Sequence, residues 1–255
     1  MVLGAFVAGA VGAGLGAVAA RFVPAEKKTL RIACVVLGVT LVTPLLQMFV
    51  IKPYEVDAAL QETQVFRVIK ERDPETYAGI RKELVTAARL DDEALRSRVR
   101  ERVGQLARKY VPSASDDALC RFITVFLAEL DQIRSKDPVA AQAYLFPAKG
   151  QAVDMTKYVD ARTLEEEVAA IAGLIETGAG ASPREDDPQR ADELLQAAVA
   201  RLAKVHGQDV QLLTRPTAPE TDPAKLTAVV SGLYREILTL PAADSAIVLR
   251  KLLAD

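Results

Sequence analysis

Residues 115–135 read SDDALCRFITVFLAELDQIRS. Leu119, Phe122, Ile123, Phe126, Leu127, Leu130 and Ile133 recur at spacings of one, three and four, which collects them on one broad helical face. A strand would instead alternate with a period of two. So wide a stripe predicts a helix at the centre of a core. Asp116 and Asp117 fall in its first turn, where negative charge complements the helix dipole.

The same period continues outward from this segment. It predicts helices over 54–72, 74–90, 92–110, 138–145, 163–177, 189–206, 223–239 and 242–254. Asp-Pro stands at 73–74, 137–138, 187–188 and 222–223. An Asp side chain accepts from the free N–H groups of a first turn, and Pro suits the first helical position. The chain has no Trp and only 5% aromatic residues, which suits helices better than sheets. Residues 53–255 therefore read as a soluble all-α domain. TGAGASPREDDP at 177–188 is its best candidate linker and sub-boundary, and 206–223 reads as a second long loop.

The N-terminal part is different. Residues 1–20, MVLGAFVAGAVGAGLGAVAA, carry no charged side chain, and neither does the run over 33–51. Each apolar stretch, about 2–20 and 33–51, approaches the roughly 20 residues that cross a bilayer. The reading is a transmembrane hairpin over 1–52. A signal peptide fits less well, because a positive n-region is missing and a second apolar run follows closely. Gly4, Ala8, Gly12, Gly16 and Ala20 repeat every fourth residue, the spacing that lets helix backbones approach closely in lipid. This stripe is a candidate helix–helix interface, either with the second span or with other chains. Arg21, Lys27, Lys28 and Arg31 lie between the runs. The positive-inside rule then puts this loop in the cytoplasm and the large domain in the periplasm of a bacterial inner membrane, with the inverted orientation as the alternative.

Chemistry is hard to find in the sequence. The 32 basic and 34 acidic residues nearly balance, so charge gives no reason to expect a nucleic-acid partner. Cys34 and Cys120 sit in different predicted segments and suggest no disulfide framework. His206 is the single histidine, placed before Gly207 at a helix end, and a lone His without nearby Cys argues against zinc. Glu165, Glu166 and Glu167 read as an acidic first turn. Arg96, Arg98, Arg100, Arg102 and Arg108 make one helix basic, a solvated face or a candidate docking face for an acidic partner or anionic headgroups. The N-terminal glycines lack the phosphate-loop pattern. No catalytic, cofactor or metal residue is assigned. The expectation is a membrane-anchored assembly or accessory protein that contacts lipid and other transmembrane subunits, or its own copies. The alternative is a homo-oligomeric pore or channel. An enzyme is not expected, and no small-molecule substrate is evident.

Overall fold

The structure is a computed structural model that describes residues 52–90, 105–106, 108–147 and 153–254. The predicted hairpin, with Gly4, Ala8, Gly12, Gly16 and Ala20, lies outside the described residues, as do Arg96, Arg98, Arg100 and Arg102. Among the described residues there is no strand, and no helix is long and apolar enough to cross a membrane.

The helices are α1 (Lys52–Glu62), α2 (Gln64–Arg72), α3 (Pro74–Leu90), α4 (Asp116–Lys136), α5 (Pro138–Leu145), α6 (Ala161–Gly178), α7 (Pro188–His206), α8 (Pro223–Leu238) and α9 (Ala242–Ala254). Two 3-10 segments, η1 (Met155–Lys157) and η2 (Gly207–Thr214), lie where loops were expected. The expected 54–72 helix is divided at Thr63, whose hydroxyl donates back to Ala59 O at 3.1 Å. That back-bond competes with the regular backbone ladder.

The chain forms two compact units. Among the described residues, one contains Lys52–Arg67 together with Glu75–Leu90. Within it, Arg81 of α3 grips Asp57 of α1 with two parallel bonds of 2.5 and 2.6 Å. Val56, Leu60, Phe66, Ile80 and Leu84 are buried.

The second unit contains Val68–Pro74 and Gly104–Asp255. Its centre is α4, which touches α5, α6, α8 and α9. Leu119, Ile123 and Leu127 join a cluster with Leu174 of α6, Leu202 of α7, Val229 and Ile237 of α8 and Leu249 of α9. One turn onward, Leu130 and Ile133 pack with Ala141, Val159, Leu226 and Val230. Burying each such Leu or Ile is worth roughly 1.5–3 kcal/mol, so this one helix organises much of the unit's apolar burial.

All four Asp-Pro pairs mark helix starts. Asp137, Asp187 and Asp222 each accept two backbone N–H bonds in the following turn. Asp73 also reaches across the sequence, accepting from Lys109 Nζ at 2.6 Å and Tyr110 Oη at 2.8 Å. Segment 177–188 joins α6 and α7, both in this second unit. It is tied down by Arg184 N donating to Pro112 O at 3.0 Å.

Two glycines of α6 make opposite predictions. A Cβ on Gly178 would come within 2.8 Å of the Tyr110 backbone oxygen. A Cβ on Gly173 would meet nothing within 4 Å. Gly178→Ala should lower unfolding stability by about 1–2 kcal/mol through overpacking. Gly173→Ala should raise it by about 0.5–1 kcal/mol through helix propensity. Denaturant unfolding of both variants checks the signs, and a stabilising Gly178→Ala would contradict the packing described.

Candidate functional site

The polar side of α4 is where the structure departs most from the sequence reading. Val125, Glu129, Gln132 and Lys136 follow one another at spacings of three and four along one flank of the apolar stripe. Solvent would ordinarily take this face. Here α6 and its leading turn lie along it. Gln132 donates to Asp160 Oδ2 and Thr163 Oγ1, each at 2.8 Å, and its own carbonyl accepts from Asp160 N at 2.9 Å. Lys136 donates to Tyr158 O at 2.7 Å.

Glu129 is enclosed as a result, with 1% of its surface exposed. Tyr144 of α5 donates its hydroxyl proton to Glu129 Oε2 at 2.6 Å. The Tyr144 ring stacks on Phe126 at 5.7 Å, and Tyr234 of α8 meets the same Phe126 edge-on at 5.6 Å. Oε1 has no donor while the surrounding acids are ionised. Glu167 of α6 stands within hydrogen-bonding reach of Glu129, so a proton on either acid supplies the missing bond. Burial raises both acids, Glu129 to about 8, and the proximity of the Glu167 charge adds to the effect on Glu129. Burial, with the two acids beside it, also pushes the Tyr144 phenol up, so it remains a donor.

Glu167 belongs to the run 165–167 expected in a first turn. The structure starts α6 at Ala161, because Asp160 accepts from Thr163 N at 2.8 Å and caps the helix. The three glutamates therefore lie beyond the first turn and diverge. Glu165 is exposed, Glu166 pairs with Arg162 at 3.0 Å, and Glu167 turns inward.

A second polar cluster surrounds Arg250 of α9, which is 6% exposed. Its Nη1 donates to both oxygens of Asp186, at 3.1 and 3.3 Å. Its Nη2 donates to Ala114 O at 3.0 Å and to Asp116. Arg250 thus ties three separate stretches together: the C-terminal helix, the start of α4 and the 179–187 connection. These groups line a surface concavity with Arg184, Glu185, Ala243 and Ile247. Its positive charge is already matched by two carboxylates, so the cluster is built as a clamp.

The remaining singled-out residues are dispersed. Arg108 is exposed on the helical residues 108–110. His206 ends α7 before Gly207, whose φ is +57°, and its ring lies over Gly232 of α8. Cys120 is half-buried, and burial raises its thiol pKa. Among the described residues, no group of three or more His, Cys, Asp or Glu side chains is placed to hold a metal ion.

Glu129 and Tyr144 had no signal in the motif search. Glu167 had one: Leu164, Glu167, Ile171 and Leu174 follow at three, four and three, so the acid occupies a core position of α6. No protein-family model, curated protein or solved structure matches this chain.

Removing the clamp leaves Asp116 with only Arg184, at 3.7 Å, and Asp186 without its cation. Their side chains retain 25% and 23% exposure, which softens the penalty. Arg250→Met should lower stability by about 2–4 kcal/mol. A loss below about 0.5 kcal/mol in denaturant unfolding would show that the clamp is incidental.

Proposed function

We propose that this chain is a membrane-anchored helical assembly or accessory protein. Its two uncharged N-terminal runs insert as a hairpin, and its helical units present a binding surface beside the membrane. The observation that carries the reading is the pair of apolar runs, with Gly4, Ala8, Gly12, Gly16 and Ala20 on one stripe of the first. In lipid, apolar burial gives helices no net reason to associate, so close backbone approach at small residues supplies the contact. The fold of the second unit is compatible with a presenting role: the Arg250 clamp and the Asp caps fix its helices as one body. The basic loop between the runs favours a cytoplasmic loop and a periplasmic helical part.

The partners in this reading are membrane lipid and either other transmembrane subunits or further copies of the chain. Gly12→Leu places a bulky side chain in the middle of the stripe. The full chain, extracted from its own membranes, should lose native mass in this variant while its far-UV circular dichroism stays unchanged. Unchanged native mass would remove the stripe from the assembly role. Recovery of the wild type in the soluble fraction, without membranes, would overturn the anchor itself. A single-component symmetric oligomer that conducts ions in liposomes would favour a homo-oligomeric pore.

A further inference from the structure

We propose that Glu129 and Glu167 form a proton-dependent latch, which holds α6 against α4 while the pair keeps a proton and loosens when both acids are ionised. The inference is independent of membrane anchoring. It starts from geometry: one acid on α4 is 1% exposed, with one oxygen bonded to Tyr144 and the other lacking a donor. The second acid reaches it from the facing helix. One shared proton makes this a bond between α4 and α6. Loss of that proton leaves two like charges beside each other, Glu129 fully enclosed and Glu167 half-buried, where repulsion is less screened than at an open surface.

The surroundings do not neutralise the pair. Tyr144 faces it from α5 and contributes one O–H, and Tyr234 of α8 lies half-buried beyond Phe126. The nearby cations are engaged elsewhere. Arg134 and Arg235 both meet Asp131, Arg162 meets Glu166, and Lys136 meets Tyr158 O. Asp160 is held by Thr163 N and Gln132.

The pH window follows from linkage. The unfolded chain gives up the Glu129 proton near its ordinary value of 4.5, whereas the folded unit keeps it to about 8. The folded state binds more protons between those values, so its stability falls as pH rises. The pair's contribution is complete below about 4.5 and is lost as pH rises through about 8.

Amide hydrogen exchange of the full chain, corrected for intrinsic exchange rates, reads the latch directly. Protection factors in α6 should fall by up to about tenfold per pH unit from pH 6 towards about 8 and level off above it. Glu129→Gln should flatten this dependence, and so should Glu167→Gln if the first variant folds poorly. Tyr144→Phe removes a donor to the Glu129 carboxylate and should move the midpoint to higher pH. The proposal is overturned by α6 protection that stays flat in the wild type, by a wild-type decline in both Gln variants, or by a Tyr144→Phe midpoint that does not rise.

Discussion

The second unit depends on the burial of α4 along its apolar stripe and along the flank that carries Glu129. An amphipathic helix at a protein surface needs one partner layer. This one has its apolar stripe filled by α6, α7, α8 and α9, and one flank of it, carrying Glu129 and Gln132, covered by α6 and the turn before it, while Asp117, Arg121, Thr124 and Ser135 keep an exposed face. Two consequences follow. The apolar positions supply the bulk of the burial, and the covered polar positions must each find a protein partner in place of water. Gln132 does so with the Asp160 carboxylate and backbone N–H and the Thr163 hydroxyl, while Lys136, at the exposed end of the helix, caps the Tyr158 carbonyl. Glu129 does so with a tyrosine and with another acid, a set that is satisfied only if a proton stays in the site.

The two polar clusters therefore have different physics. Around Arg250, charges of opposite sign meet, and desolvation of the guanidinium is offset by two carboxylates and a carbonyl. That arrangement needs no proton exchange and serves to connect three distant stretches of chain. Around Glu129, acids of like sign meet with no facing cation among the described residues. The lower free energy lies in neutralising one acid rather than separating two buried charges. The first cluster fixes the fold, and the second makes it sensitive to solution conditions.

Most helices were legible because their signals are local. The stripe from Leu119 to Ile133 and the Asp-Pro starts depend on spacing and capping alone, and the structure contains α4, α5, α7 and α8 at those positions. The start of α6 was missed by two residues because Asp160 lacks a following Pro, although it caps just as effectively. Glu167 accordingly lies beyond the dipole-balancing turn, half-buried and beside Glu129. The inward Glu129 was not legible, since only tertiary packing decides whether that flank of α4 is covered. Tyr144 was equally hidden, because its partner lies across a helix junction. The stripe Gly4 to Ala20 and the basic positions Arg96 to Arg102 fall outside the described residues, so their meaning still rests on sequence pattern.

The most direct measurement is the titration of the Glu129 side-chain carboxyl by ¹³C NMR in the full chain, with Glu129→Gln used to assign its resonance. Enclosure between α4, α5 and α6 predicts a midpoint near 8, with a coupled response at Glu167. A midpoint near the ordinary 4.5 would mean that water reaches this face of α4, and that the covering helix is not where the structure puts it.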